Sequence, residues 1–149
     1  MSVLIDTSIW IDYFKSGDNA EDLEGLIDKN IVAINDIILA ELVPYLKIKK
    51  QDTVIQLLHT VTRLPLNIDW AEIITFQTQC LKNGANGIGI PDLIIAQNAK
   101  QHDCSIYSLD KHFRLLQQSI NIKLYLPTMP DDFMAEGRQD TPPQEREPF

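Results

Sequence analysis

Val3-Leu4-Ile5-Asp6-Thr7-Ser8-Ile9-Trp10-Ile11-Asp12-Tyr13-Phe14 is the stretch from which the fold can be read. A short apolar run ends in Asp6. Behind it Ile9, Trp10, Tyr13 and Phe14 recur at helical spacing, while Asp12 and Lys15 fall on the opposite face. The stretch predicts a strand over 3–6 that hands over, through Thr7 and Ser8, to a helix over 8–15. One carboxylate is thereby left at the strand's carboxyl end, the edge at which α/β sheets bind ligands.

Outward from this unit, strand and helix patterns alternate. Ile31–Ile34 reads as a second strand, and either Asn35 or Asp36 caps the helix that follows, with Ile38, Leu42, Tyr45 and Leu46 on one stripe. Pro44 lies inside that helix and is expected to kink or locally break it. Asp52 opens a helix carrying Val54, Leu57, Leu58 and Val61. Leu64–Ile68 contains Pro65, which places it at a sheet edge. Asp69-Trp70-Ala71-Glu72 has the form of a capping box for a helix through Ile73, Phe76 and Cys80 that ends near Gly84. A glycine-rich loop follows over 84–89. Pro91 then suits the first turn of a helix running to about His102. Ser105–Ser108 and Ile122–Tyr125 are the last strands, with a helix opened by Asp110 between them. The alternation predicts an α/β fold: a doubly wound parallel sheet of about five strands with helices on both faces.

The 149 residues suit one folded domain, and 44% hydrophobic with 23% charged content is ordinary globular composition. No apolar run approaches the ~20 residues of a membrane span, and the N-terminus lacks the pattern of a signal peptide. Cys80 and Cys104 have no metal-ligand spacing and read as small buried hydrophobes, so the expected compartment is the cytoplasm. The net charge of −8 argues against a surface that coats nucleic acid. Part of it sits in residues 127–149, where six acids face two arginines among five prolines. These residues are expected to form a mobile extension to a domain of residues 1–126.

Most acids have simple explanations. Asp36, Asp52 and Asp69 fit helix caps, and Asp12, Asp22, Asp28 and Asp103 fit solvated positions. Asp6, Glu41, Asp92 and Asp110 do not dismiss so easily. Asp6 ends an apolar strand, and Thr7 or Ser8 is available to cap the helix in its place. Glu41 lies at the margin of an apolar stripe, as many flanking helix acids do. Asp92 is followed at i+4 and i+7 by Ala96 and Ala99, on the face that should press on the sheet. Asp110 follows a strand, with Ser108 two residues before it, although it also fits a plain cap. If the first and fourth strands are neighbours, these acids converge on one crevice. Clustered carboxylates repel unless protonated or bound to a cation. An all-oxygen set suits Mg2+ or Mn2+, and such sites commonly assist phosphodiester chemistry.

Leu4–Trp10, Ala40-Glu41-Leu42, Ile90–Ala96 with Ala99, and Tyr107–Phe113 together resemble the PIN domain, and more narrowly the VapC-type toxins of toxin–antitoxin pairs. The similarity runs from Val3 to Tyr125 in order and spacing. It implies a sheet of order 3-2-1-4-5 and a homodimer. It also implies a Mg2+- or Mn2+-dependent ribonuclease activity on an RNA substrate, and an antitoxin that occludes the site. The family's acidic residues fall on Asp6, Glu41, Asp92 and Asp110, which would hold the metal. Its supporting hydroxyl falls on Ser108, where Thr is more usual. Pro44 departs from the pattern, and the acidic tail has no counterpart in it.

No histidine is expected as a base. His59 and His102 read as surface helix residues, and His112 as solvated beside Asp110. Lys47, Lys49 and Lys50 fit RNA phosphates or a solvated run equally well. The amphipathic helices at 37–46 and 53–62 offer apolar surface beyond one core. Three rival functions stand beside the ribonuclease. An aspartate-nucleophile phosphohydrolase would want a second Asp where Ser8 stands. A catalytically silent PIN-fold module would bind RNA or protein without cutting. A structure-specific DNA nuclease would need a DNA-gripping extension for which the chain has no room.

Overall fold

The computed structural model describes residues 2–127; the tail expected over 127–149 lies, from residue 128 on, outside the described residues. Strands β1 (Val3–Ile5), β2 (Val32–Ile34), β3 (Thr62–Arg63), β4 (Ser105–Tyr107) and β5 (Lys123–Leu124) form one parallel sheet of order β3-β2-β1-β4-β5. The sheet order implied by the resemblance is thus the observed one. Helices α1 (Thr7–Phe14), α2 (Ala20–Asp28), α3 (Asp36–Ile48), α4 (Asp52–Leu58), α5 (Trp70–Lys82), α6 (Ile90–Gln101) and α7 (Lys111–Ser119) make the crossovers. Strands β1, β2 and β4 are buried throughout, as apolar strands covered on both faces must be. Because β1 sits between β2 and β4, the chain's winding reverses there, and the β1–β4 edge is the topological switch point.

Several elements differ from expectation for identifiable reasons. The third strand falls at Thr62–Arg63 and not at 64–68. Leu64 N–H donates to the Ile34 carbonyl at 2.8 Å as the last bond of the ladder, and Pro65 has no N–H with which to continue it. Helix α3 runs unbroken through Pro44. A helix tolerates this when the one carbonyl left over faces solvent, and Ala40, four residues earlier, is exposed. Asn35, not Asp36, caps α3, since its Oδ1 accepts from Ile38 N–H at 3.0 Å. Asp52 is the first residue of α4 and not its cap, and α4 stops at Leu58. Asp69 does cap α5, but the return half of the expected box is missing. Gln97 supplies it from α6: Asp69 N–H donates to Gln97 Oε1, and Gln97 Nε2 donates to Glu72 Oε1 at 2.7 Å.

Helix α6 is buried continuously from Leu93 to Ala99, a stretch that includes two amides. Asn98 accepts from Asn35 Nδ2 at 2.9 Å and donates to the Pro65 carbonyl at 3.0 Å, tying α6 to the start of α3 and to the irregular segment after β3. The loop before α6 turns through Gly84 and Gly87, both at positive φ. Apolar surface remains exposed at Ile48, Trp70, Ile74 and Leu81. The outward stripe of α5 carries three of these and Ile48 ends α3, while within 37–46 and 53–62 the large apolar side chains pack at least partly on the core. Both cysteines are buried and unpaired, as read from their surroundings. Among the described residues no helix is long and apolar enough to cross a membrane.

Candidate functional site

The first strand ends at Ile5, one residue short of the expected 3–6, so Asp6 is the N-cap of α1. Thr7 and Ser8 do not take that role as expected; Ser8 serves Asp6 instead. Asp6 is 93% buried as a residue, and its Oδ2 accepts from Ser8 Oγ at 3.0 Å and Ser108 Oγ at 2.8 Å, with a long contact of 3.5 Å from Ser8 N–H. The backbone holds this carboxylate at the switch point: Asp6 N–H donates to the Tyr107 carbonyl at 3.0 Å, which carries the β1–β4 ladder one step past the strand.

The facing turn after β4 is built around hydroxyls. Ser8 Oγ accepts from Leu109 N–H and Ser108 Oγ accepts from Asp110 N–H, each at 2.9 Å. The turn brings Asp110 to the start of α7, where it caps the helix through His112 N–H at 2.9 Å. Asp110 and Asp6 therefore both cap helices, and Asp110 also lines a cleft whose wall includes Ser8, the partner of Asp6. Capping and a place in the site are not alternatives here.

Asp92 enters from the first turn of α6. Burial raises its carboxyl above the ordinary carboxylate range, and the charge of Asp110 adds to that. His112 opposes it, and Asp6 pushes it up further. His112, expected to be solvated, instead lies half-buried between the two acids. Its Nδ1 is 3.2 Å from Asp92 Oδ2 and 3.4 Å from Asp110 Oδ1. The signal that could have placed it is its position: the second residue of a helix capped by Asp110 points its ring back over the cap. Glu41 stands apart from this group. It is exposed on α3 and joined to the crevice through Thr7, whose hydroxyl donates to Glu41 Oε1 at 3.1 Å.

Asp92, Asp110 and His112 each bring one ligand atom to within 4.8 Å of the others. Among the described residues, Asp6, Asp92 and Asp110 each keep one carboxylate oxygen free of protein hydrogen bonds. Two carboxylates, one of them raised, with an imidazole between them suit a divalent cation. Hard oxygen donors favour Mg2+, and the nitrogen is compatible with Mn2+.

Two acids expected to be solvated are structural. Asp12 accepts from Asn19 N–H at 2.9 Å and closes the turn after α1. Asp22 accepts from the Tyr125 hydroxyl at 3.3 Å, with its other oxygen buried. Burial and Asp22 together push the Tyr107 hydroxyl strongly up, so it stays protonated and donates to Asn19 Oδ1 at 3.2 Å.

A solved VapBC2 complex from Rickettsia felis bound to promoter DNA superposes with a TM-score of 0.67 at 20% identity, over 84% of this chain and 98% of that one. A toxin–antitoxin complex from Klebsiella pneumoniae gives 0.59 at 25% identity, over 74% and 88%. Mycobacterium tuberculosis VapC20, described as a sarcin-ricin loop cleaving toxin, gives 0.54 at 14%, over 76% and 93%. No curated protein matches the chain in sequence. The sequence model of the PIN domain matches residues 3–117, which hold β1 through most of α7 and every acid of the crevice. The chain belongs to the PIN-domain family.

Proposed function

We propose that the protein is a divalent-metal-dependent endoribonuclease, the toxin of a toxin–antitoxin pair, which hydrolyses RNA phosphodiesters. The observation that supports this is the cluster of Asp92, Asp110 and His112, whose ligand atoms lie within 4.8 Å of one another, with Asp6 near enough at the end of β1 for its charge to raise the Asp92 carboxyl. A bound Mg2+ or Mn2+ would supply a polarised water and counter-charge for the phosphate oxygens. Asp6, Asp92 and Asp110 would hold the ion, with Glu41 reaching in from the side under the control of Thr7. Ser108 and Ser8 fix the orientation of Asp6, and His112 holds Asp92 and Asp110 together. The solved relative described as cleaving the sarcin-ricin loop supports RNA as the substrate.

The relatives solved as toxin–antitoxin complexes support a protein partner. An antitoxin side chain of Arg or Lys inserted among the carboxylates would neutralise the site. The exposed Trp70, Ile74 and Leu81 support a homodimer, and a monomer in light scattering at micromolar concentration would count against it. The proposed compartment is the cytoplasm. Residues 130–149 are proposed to be dispensable, so truncation after Thr128 should spare both cleavage and melting temperature.

The test is cleavage of RNA by the purified protein, with RNA ends sequenced after induced expression and Asp6→Asn as control. EDTA should abolish cutting, and either metal should restore it. Undiminished cutting in EDTA rejects the metal mechanism. RNA binding without any cutting in either metal would favour the silent binding module.

A further inference from the structure

Two concavities flank the carboxylates, and Asp110 lines both. One, of about 430 Å³, opens on Ser8, Leu109, Lys111 and His112. The other, of about 220 Å³, lies on the far side of Ser108 and Asp110, between the turn after α1 and the end of β5. Its walls include Tyr107, Phe113 and Tyr125, with Asn19 at one end and Arg114 on the rim. Tyr107 and Tyr125 lie 4.8 Å apart between ring centroids.

The polar groups of this second pocket are unequal in what they leave for a ligand. The Tyr107 hydroxyl is spent on Asn19 Oδ1, which fixes the amide and leaves its N–H groups free to donate. Arg114 is exposed and makes no ion pair among the described residues. In a chain of net charge −8, an unengaged guanidinium four residues from Asp110 has no carboxylate to serve and suits a phosphate. A largely apolar slot with an aromatic wall, an amide donor and a cation at its mouth is the chemistry that takes an unstacked base with its phosphate.

We propose that this pocket binds the nucleotide next to the scissile phosphate of the RNA substrate. Tyr125 bears on the base above the buried Phe113, Asn19 donates to a base carbonyl and Arg114 holds the flanking phosphate, which makes Asn19 a specificity-determining residue and Arg114 a phosphate-binding one. The assignment rests on the ribonuclease proposal for the identity of the ligand. A base-sized slot against Ser108 and Asp110 puts its occupant one nucleotide from the carboxylates, and the opening toward Lys111 receives the strand on the other side.

The test uses the full-length Asp6→Asn protein and short RNAs carrying one 4-thiouridine at successive positions. Irradiation should give crosslinks to the peptide containing Tyr125 and Leu126 from one register only. Arg114→Ala should weaken RNA binding about five- to tenfold and lower the slope of log affinity against log salt by about 0.7, one single-strand phosphate contact. Arg114→Lys should restore the slope. In the cutting enzyme, Asn19→Ala should change the base preferred beside the cut. Crosslinks at Tyr125 without any cutting by the wild type would remove the hydrolase reading and leave the pocket. Cutting with an unchanged Arg114→Ala salt slope, and crosslinks only near Lys111, would overturn the pocket alone. Crosslinks that appear only after removal of residues 128–149 would give the pocket to the chain's own C-terminal segment and also overturn the assignment.

Discussion

The hydroxyl of Ser108 donates a 2.8 Å hydrogen bond to Oδ2 of Asp6, closing the carboxyl ends of β4 and β1 on one another. Ser108 Oγ in turn accepts from Asp110 N–H at 2.9 Å, so one side chain positions two of the acids. Ser108→Ala removes both bonds and leaves a part-buried N–H unpaired, which costs about 1 kcal/mol at a site open to some water. Cleavage should fall about 10–100-fold, the usual cost of losing a group that orients metal-binding carboxylates. Ser108→Thr keeps the oxygen and should restore most of the activity. Equal activity in Ser108→Ala, measured with melting temperature unchanged, would show that Asp6 needs no such support.

Asp92 and Asp6 should respond differently to neutralisation. Burial and Asp110 hold the Asp92 carboxyl above its ordinary range, so its ionised form weakens the folded state. Asp92→Asn should abolish cleavage yet stabilise the metal-free protein by about 0.5–2 kcal/mol. The sign follows from a folded pKa above the unfolded one. Below the unfolded value Asp92 is neutral in both states, so the variant gains nothing there. The gain grows as pH rises through the raised folded value. Asp6 caps α1 and accepts two hydroxyl hydrogen bonds, so Asp6→Asn should be neutral or slightly destabilising while also inactive. Thermal melts in EDTA across pH 4–8 check both; an Asp92→Asn protein less stable than wild type at neutral pH would contradict the repulsion argument.

The sheet was legible in the sequence because its strands are short apolar runs at the right spacing between amphipathic helices. Asp6 and Asp110 were legible as strand-end acids for the same reason. What stayed hidden depends on tertiary contacts. His112 looks solvated in sequence because nothing local shows that α6 brings Asp92 against it. The Tyr107–Asn19 and Tyr125–Asp22 bonds join residues about a hundred positions apart, which no periodicity encodes. The sequence offers Thr7 and Ser8 as caps in place of Asp6, whereas the Asp6 carboxylate both caps α1 and accepts from Ser108. The third strand was misplaced because the apolar run 64–68 outweighed the polar Thr62–Arg63, although a proline excludes ladder donation from within that run.

The amides of α6 make a separate prediction about stability. Asn98 is 98% buried and uses its carbonyl for Asn35 and its amino group for the Pro65 carbonyl. Asn98→Ala leaves Asn35 Nδ2 without a mate, leaves the Pro65 carbonyl only its 3.2 Å contact with His102 Nε2, and opens a small cavity. The loss should be about 2–4 kcal/mol, since each abandoned buried polar group costs about 1–3 kcal/mol. Asn35 also caps α3, the helix that carries Glu41, so amide exchange should accelerate over the first turn of α3. A denaturant midpoint within experimental error of the wild type would show that water replaces these bonds.

His112 lies where a cation would draw Asp92 and Asp110 together, with Nδ1 3.2 Å and 3.4 Å from their carboxylate oxygens. Mg2+ prefers oxygen donors, so its binding competes with these contacts more than it profits from the nitrogen. His112→Ala should therefore lower the melting temperature in EDTA, because two acids then face each other without the imidazole between them. The same variant should bind Mg2+ about two- to fivefold more tightly by titration calorimetry, a gain of roughly 0.4–1 kcal/mol. Saturating Mg2+ should then raise its melting temperature by more than it raises that of the wild type. Mn2+ tolerates a nitrogen ligand better, so the variant should gain less affinity for Mn2+ than for Mg2+. Weaker binding of both ions by His112→Ala would reverse the assignment and make His112 a ligand in its own right.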